Sequence, residues 1–216
     1  MKTEKIPEAL AAAYEKAARL GIELYYRKVA EEIVGSGKTG LLLDLGTGPG
    51  YLPIEIAKRS PEIRIVGVDL SEKLIGIAKA NAKKAKVTSQ IGFEVGNAAS
   101  LRFRDASFDM VISTGMLHSL KAPVNVLKEI HRLLKIGGNA WIFDPATISS
   151  RINRKKWAAS LSSRDRLFLG LFKTLGLHTP IKPYSRRELL PIIEAAGFRH
   201  YTIEEKAGEV KLYLQK

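Results

Sequence analysis

The 216-residue chain contains no cysteine, and this absence removes several kinds of chemistry at once. Disulfides, thiolate metal sites and a cysteine nucleophile all require that residue. The four histidines are scattered, without the H-x-x-x-H spacing that would put two metal ligands on one helix face. We therefore expect neither a disulfide framework nor a metal site.

Long apolar runs are also missing from the sequence. No stretch of eighteen apolar residues is present, and charges interrupt residues 1–16, where the apolar core of a signal peptide would lie. These features predict a cytoplasmic protein with no integral membrane segment. The length and the 45% apolar fraction suit a single globular domain over residues 1–216, with one substantial core.

Acidic residues are few relative to basic ones, 22 against 35, so the formal net charge is +13. Most of the excess lies between residues 146 and 187, where Asp165 is the single acid beside ten basic residues. Such a patch attracts RNA, an acidic small molecule or a lipid headgroup surface, and a solvated face is the alternative interpretation. The apolar stripe within residues 167–175 favours a lid in this segment.

Three glycines in the run LLLDLGTGPG, residues 41–50, form the most informative pattern that is present. Gly46, Gly48 and Gly50 follow one apolar run, and Asp69 ends the next apolar run nineteen residues later. Glycine permits a sharp strand-to-helix turn whose backbone touches a ligand, and a carboxylate at Asp69 suits the two hydroxyls of a ribose. The pattern predicts a site for an adenosine-containing cofactor.

The glycine spacing discriminates between adenosine cofactors. Dinucleotide sites favour G-x-G-x-x-G, whereas this loop reads G-x-G-x-G and is preceded by Asp44. The Asp44 carboxylate would repel a pyrophosphate and attract the ammonium of a methionine moiety. We therefore expect S-adenosyl-L-methionine as the cofactor and S-adenosyl-L-homocysteine as its product. An NAD-dependent oxidoreductase is the alternative.

Alternating apolar strands and helices predict an α/β fold with a doubly wound, Rossmann-like sheet. Strands are predicted at residues 40–45, 63–69, 89–96, 108–114 and 139–144. Helices are predicted at residues 7–34, with a break at Gly21, and at 50–59, 71–85 and 122–135. A capping box at Ser185 and Glu188 begins a later helix, which Pro191 should kink, and a strand pair ends the chain.

Four successive motifs resemble those of class I S-adenosylmethionine-dependent methyltransferases. They are DLGTGPG, VDLS, GNAASLRFRDASFDMVIS and LHSLKAPVNVLKEIHRLLKIGG. Within that superfamily they are most similar to the branch of the ubiquinone and menaquinone C-methyltransferases, and the resemblance covers residues 38–145 closely. It implies a seven-stranded, mostly parallel sheet with an antiparallel last strand and helices on both faces.

The resemblance also implies how the chain is divided. Residues 1–37 would form an N-terminal helical cap over the cofactor, although packing on the sheet edge for stability alone is the alternative. Residues 38–145 would form the cofactor-binding core. A basic helical insertion or lid would span 146–184, and a C-terminal helix and strand hairpin would span 185–216.

The candidate cofactor residues combine the glycine loop with positions that the resemblance supplies. They are Asp44, Gly46, Thr47, Gly48, Gly50, Asp69, Leu70, Asn97, Ala98, Ser113 and Thr114. Asn97 departs from the family pattern, which commonly has an aspartate that meets the adenine amino group. An asparagine carbonyl accepts the same hydrogen bond without a charge, so Asn97 stays among the candidates.

His118 is the candidate catalytic acid or base, because it follows the fourth predicted strand and would face the transferred methyl group. A packing role is the alternative interpretation. Asp144, at the end of the fifth strand, is a further pocket candidate. The aromatic pocket candidates are Tyr14, Tyr25, Tyr26, Trp157 and Tyr184.

Methyl transfer to a small-molecule acceptor is the leading functional hypothesis. An RNA or protein methyltransferase that docks its substrate on residues 146–187 is one alternative. A non-catalytic module that binds S-adenosylmethionine is another, because the fold alone does not establish turnover. The sequence carries no indication of the oligomeric state.

Overall fold

The computed structural model describes residues 5–21, 25–145, 163, 170, 184–206 and 209–216. The helices there are α1 (Ala11–Gly21), α2 (Arg27–Gly35), α3 (Tyr51–Ala57), α4 (Glu72–Ala85), α5 (Pro123–Leu133) and α6 (Arg186–Ala195). The strands are β1 (Gly40–Leu45), β2 (Ile63–Asp69), β3 (Ile91–Val95), β4 (Phe108–Thr114), β5 (Leu134–Pro145), β6 (His200–Lys206) and β7 (Glu209–Gln215). Most of the predicted lid over 146–184, including Trp157, lies outside the described residues.

The strands form one seven-stranded sheet in the order β3-β2-β1-β4-β5-β7-β6. Strand β7 runs antiparallel to both of its neighbours, and the other pairs are parallel. This confirms the predicted doubly wound sheet with an antiparallel last strand. The strand order reverses between β1 and β4, and ligands of such sheets bind beyond the carboxyl ends of the strands at that point.

Helices cover both faces of the sheet, as neighbouring residues of β1 illustrate. Leu42 packs in a buried cluster with Ile33 of α2, together with residues of α3 and α4. Leu43 belongs to the opposite cluster, with Leu127 of α5 and Leu189 of α6. Because successive side chains of a strand point to opposite faces, a strand buried on both sides needs the continuous apolar run seen in β1.

The predicted boundary between α5 and β5 is wrong by several residues. Helix α5 ends at Leu133, and β5 begins at Leu134 rather than at residue 139. Leu134 pairs with Phe108 across the sheet, and the register then shifts before Met110 pairs with Asn139. Pairing with a neighbouring strand has therefore overridden the helical pattern, which local sequence cannot show.

The other element boundaries agree more closely with the sequence predictions. Helix α1 ends at Gly21, where the sequence predicts a break, and α2 begins at Arg27. The Glu188 carboxylate accepts a hydrogen bond from the Ser185 backbone N at 3.0 Å, as a capping box requires. Helix α6 continues through Pro191 to Ala195, so proline does not end it.

Gly50 is the N-cap residue of α3 and offers a test of the loop geometry. Its φ is +78°, and a Cβ there would lie 2.9 Å from Phe93 Cζ and 3.0 Å from Ala78 Cβ. We expect Gly50→Ala to lower the free energy of unfolding by about 2–4 kcal/mol, because the backbone strain and the contact with a packed core add. Urea unfolding followed by circular dichroism measures this change.

Gly76→Ala is the matched control for that substitution. Gly76 lies inside α4, and a Cβ there meets nothing within 4 Å. Alanine should stabilise this helix by about 0.5–1 kcal/mol relative to glycine. Equal effects of the two substitutions would contradict the strained conformation assigned to Gly50.

Candidate cofactor site and active site

The glycine loop between β1 and α3 lies at the reversal point of the sheet. Gly46, Gly48 and Gly50 all have left-handed φ values, of +73°, +54° and +78°. The backbone N of Gly46 and that of Thr47 donate to the Val68 carbonyl at 2.9 and 3.0 Å. The loop is therefore fastened to the end of β2, and its glycines adopt conformations that other residues rarely adopt.

Asp69, the last residue of β2, joins two backbone segments. Its Oδ2 accepts from the Gly48 backbone N at 2.9 Å, and its Oδ1 accepts from the Ser71 backbone N at 2.9 Å. Burial raises the pKa of this carboxyl, and the bonds from Ser71 and Gly48 oppose that rise. A carboxylate has about four acceptor positions, so capacity remains for two ribose hydroxyls.

Asp44 is a buried carboxyl near the end of β1, and its surface is only 1% exposed. Its Oδ1 and the Thr47 Oγ1 make no hydrogen bond to any residue in the described part of the chain. Burial raises the pKa of Asp44 to about 7; the nearby Thr47 hydroxyl opposes this rise, and the charge of Asp69 adds to it. A buried carboxyl with an unsatisfied oxygen needs a cation or a donor, which the ammonium of a methionine moiety would supply.

Two tyrosines of the N-terminal segment lie beside this loop. A Cβ on Gly48 would stand 3.5 Å from Tyr14 Cε1, and Asp69 adds to burial in raising the pKa of Tyr14 to about 12. Burial also raises the pKa of Tyr26 well above its usual value, with Tyr14 and Asp44 among the neighbouring charges. The position of Tyr14 beside the glycine loop therefore favours the predicted cap over packing on the sheet edge alone.

Polar contacts fasten these helices to the rest of the fold. The Tyr51 hydroxyl of α3 donates to Glu15 of α1. Glu32 of α2 accepts from Lys211 Nζ at 2.5 Å and from the Tyr213 hydroxyl at 2.6 Å. The N-terminal helices are thus held to α3 through α1 and to β7 through α2.

The adenine side of the predicted site is more exposed. Asn97 Oδ1 accepts from the Ala99 backbone N at 3.0 Å, which uses one of its two lone pairs. Ala98 beside it is buried, and Leu70 is half-buried next to Asp69. Asn97 therefore keeps one acceptor position in the loop that follows β3.

Ser113 and Thr114 end β4, as the sequence predicted. The Ser113 hydroxyl donates to the Leu45 carbonyl at 2.9 Å and is buried. This side chain ties β4 to β1, so any contact of Ser113 with a ligand falls to its backbone. Thr114 is half-buried at the end of the strand.

His118 and Asp144 form a pair that the sequence analysis named separately and did not join. His118 lies in the single-turn helix Leu117–Ser119 after β4, and Asp144 lies near the end of β5. The His118 Nδ1 is 3.1 Å from Asp144 Oδ1, and the His118 backbone N donates to Oδ2 at 2.9 Å. Burial raises the pKa of the Asp144 carboxyl, and its contacts with His118 oppose that rise.

The remaining aromatic candidates occupy different places. Burial raises the pKa of Tyr25 well above its usual value, and Glu209 and Asp144 are among the neighbouring groups that add to the rise. Tyr184 packs against the core cluster of α5 and α6.

Glu8 is a residue at the site that sequence reasoning missed. Its carboxylate accepts from Ser71 Oγ at 3.1 Å and from the Lys73 backbone N at 3.2 Å, at the first turn of α4. Ser71 is also the residue whose backbone binds Asp69. An acid at a helix N-terminus is favourable, but no signal in the sequence placed Glu8 at a helix more than sixty residues away.

Two kinds of feature are absent from the described residues. No cluster of histidine, aspartate and glutamate there has the arrangement of a metal site. Among the helices of the described ranges, none has the length and apolar character that crossing a membrane requires.

Comparisons with known proteins connect this site to a family. The methyltransferase domain family model matches residues 37–197. A ubiquinone/menaquinone biosynthesis C-methyltransferase of Geotalea uraniireducens is 33% identical over 153 residues, which cover 68% of this chain and 65% of that protein. A demethylmenaquinone methyltransferase of Chlorobaculum parvum is 32% identical over 190 residues, covering 83% and 76% respectively. The chain thus spans slightly less than two thirds of the Geotalea relative.

Solved structures share the fold at lower sequence identity. A candidate S-adenosylmethionine-dependent methyltransferase of Methanococcus maripaludis superposes with a TM-score of 0.76 at 22% identity, covering 100% of this chain and 95% of that one. A methyltransferase of Aquifex aeolicus gives a TM-score of 0.63 at 18% identity, covering 86% and 88%. The fold, the glycine loop with the buried Asp44 and the family match all indicate the same family. The chain therefore belongs to the methyltransferase domain family, within the class I S-adenosylmethionine-dependent methyltransferases.

Proposed function

We propose that this protein transfers a methyl group from S-adenosylmethionine to a small-molecule acceptor. The observation that carries the proposal is the buried Asp44 carboxyl with an unsatisfied oxygen beside the glycine loop. A pyrophosphate placed there would meet a negative charge, whereas the methionine ammonium would neutralise it. The named relatives, which are quinone-biosynthesis methyltransferases, support a small-molecule acceptor.

The residues of the loop would divide the cofactor between them. Asp69 would accept from both ribose hydroxyls, and Asp44 and Thr47 would hold the methionine end. Leu70, Asn97 and Ala98 would contact the adenine ring. Each assignment uses an acceptor position, a buried oxygen or an apolar surface that the geometry leaves available.

His118 would take the proton that the acceptor loses. The sulfonium supplies an activated methyl group, so the protein needs mainly to align the acceptor and remove its proton. The His118 side chain is 12% exposed, and its Nδ1 lies beside the buried Asp144 carboxyl. Histidine suits this task because an ordinary imidazole changes charge near neutral pH.

The first experiment is methyl transfer with a labelled cofactor. Purified protein is incubated with methyl-tritiated S-adenosylmethionine and a lysate separated into RNA, protein and organic-soluble pools. Label in the organic-soluble pool is expected. Label in RNA or protein would replace the proposal with macromolecular docking on residues 146–187, and binding without label in any pool would favour a non-catalytic module.

Asp69→Ala is the control that identifies the cofactor site. We expect it to weaken S-adenosylhomocysteine binding by at least about 100-fold, because two hydrogen bonds to a charged group are lost. Isothermal titration calorimetry measures the affinity, and circular dichroism checks the fold.

Asp105→Ala is the matched variant for this measurement. Asp105 pairs with Arg132 on the surface, its side chain is 76% exposed, and its removal should leave affinity within about twofold. Equal affinity for Asp69→Ala and the unmodified protein would contradict the ribose assignment.

A further inference from the structure

Asp144 holds His118 through two different donors. One oxygen faces the ring Nδ1 at 3.1 Å, and the other accepts from the backbone N of the same residue at 2.9 Å. The Asp144 side chain is fully buried, so its lone pairs are not satisfied by bulk solvent. A carboxylate accepts and does not donate, so it favours a hydrogen on each of the two nitrogens that it faces.

This geometry decides which ring nitrogen of His118 carries the proton. In neutral imidazole one nitrogen is a donor and the other an acceptor. With Nδ1 donating to Asp144, the lone pair lies on Nε2, on the opposite side of the ring. Among the residues that the structure describes, none forms a hydrogen bond with His118 Nε2, so its lone pair remains available to take a proton from the methyl acceptor.

We infer that Asp144 is a positioning residue, which keeps His118 in the Nδ1–H tautomer and directs the Nε2 lone pair toward the methyl acceptor. The inference deepens the proposed function and rests on it for the catalytic consequence. Its tautomer component is a property of the protein itself and is measured without turnover.

Methyl transfer exchanges a hydrogen of the acceptor for the methyl group. The bond between the acceptor and its hydrogen breaks, and the proton passes to His118 Nε2. The electron pair left on the acceptor forms the new bond to the methyl carbon, and the sulfur leaves as the thioether of S-adenosylhomocysteine. The imidazolium then faces the Asp144 carboxylate, which stabilises the positive charge that the proton creates.

The Asp144→Asn substitution distinguishes a positioning role of Asp144 from a packing role. The backbone N of His118 always donates, so the amide oxygen of an asparagine should turn toward it. The amide NH2 then faces Nδ1, which must accept, and the ring proton moves to Nε2. Asp144→Asn is nearly isosteric. In this variant His118 Nε2 would face the methyl acceptor with an N–H donor, whereas in the native protein it faces the acceptor with a lone pair.

Nitrogen NMR on ring-15N-histidine protein tests the inference. The full chain is saturated with S-adenosylhomocysteine at a pH of about 9, where an ordinary imidazole is neutral. His118 is assigned by the signal that disappears in His118→Gln. We expect the Nδ1–H tautomer in the native protein and the Nε2–H tautomer in Asp144→Asn. Finding Nε2–H in the native protein would overturn the inference even if the variant does not fold.

Asp109→Asn is the matched control. The Asp109 carboxylate likewise accepts a backbone hydrogen bond, from the Leu41 N at 2.8 Å, at the opposite end of β4. It should leave the tautomer of His118 unchanged. A switch in both variants would show a general disturbance of the sheet and would overturn the specific role of Asp144.

Label transfer adds the catalytic readout. Where the native protein labels an acceptor pool, Asp144→Asn should lower the rate at least about 100-fold, with S-adenosylhomocysteine affinity within about twofold. An unchanged rate would overturn the inference and leave the proposed function standing. Absence of transfer by the native protein would instead count against the proposed function, while the NMR result still decides the tautomer.

Discussion

His118→Ala is expected to slow methyl transfer by about 10²–10⁴-fold while leaving S-adenosylhomocysteine affinity within about twofold. The loss should be this large because the proton acceptor disappears. Within the described part of the chain, His118 forms its side-chain and backbone N hydrogen bonds with Asp144 and none with Asp44 or Asp69. Binding and turnover should therefore separate.

Single-turnover transfer into the labelled pool, beside calorimetric titration of S-adenosylhomocysteine, measures both quantities. His131→Ala is the matched control, because His131 packs edge-to-face on Phe198, with 5.0 Å between ring centroids, away from Asp144. It should leave the transfer rate within about twofold. A native rate in His118→Ala would remove His118 from the mechanism and make it a packing residue.

Asp44→Asn is expected to change cofactor affinity and stability in opposite directions. Affinity should fall by about 10–100-fold, because an ionised partner for the methionine ammonium is lost. Without ligand, the free energy of unfolding of Asp44→Asn should increasingly exceed that of the native protein as the pH rises, because asparagine has no charge to bury. A site acid that is costly in the absence of its ligand has this signature.

The pH dependence follows from the pKa of Asp44. Burial raises it to about 7 in the folded protein from an ordinary value of 3.8. Between these values the folded protein binds more protons than the unfolded chain, so stability falls as the pH rises. Between pH 5 and pH 8, the free energy of unfolding of the native protein should fall by about 2–3 kcal/mol more than that of Asp44→Asn.

Urea unfolding of both proteins at a series of pH values gives this difference, and other titrating groups cancel in the comparison. Binding of the cationic ligand should also release a proton at pH 6, which calorimetry in buffers of different ionisation enthalpy detects. Parallel stability curves for the two proteins would contradict the buried, uncompensated state of Asp44.

Local sequence was sufficient for the glycine loop and the acid that serves it. Gly46, Gly48 and Gly50 are needed where the backbone takes positive φ, and this requirement is written in adjacent residues. Asp69 was found for a related reason, since it ends the strand that pairs beside β1. The doubly wound sheet was predicted because alternating apolar segments and right-handed crossovers leave few topologies, whereas its antiparallel last strand was implied by the family resemblance.

Local sequence was insufficient wherever partners lie far apart in the chain. The start of β5 at Leu134 depends on pairing with Phe108, and a helical pattern in the preceding residues concealed it. The sequence also left open whether the N-terminal helices pack on the cofactor loop or on the sheet edge. The nearness of Tyr14 to Gly48, two residues that lie far apart in the chain, favours packing on the loop.

The sequence by itself determined the family, the glycine loop and the individual candidates His118 and Asp144. The tertiary structure decided that these two side chains form a pair, because the register of β4 with β5 brings Thr114 opposite Phe143 and so brings the following residues together. It also decided that Asp44 is buried with an unsatisfied oxygen, since burial is a property of the packed core and not of the motif. The residue types determine which chemistry is available, and packing determines which groups come into contact and how far each is exposed to water.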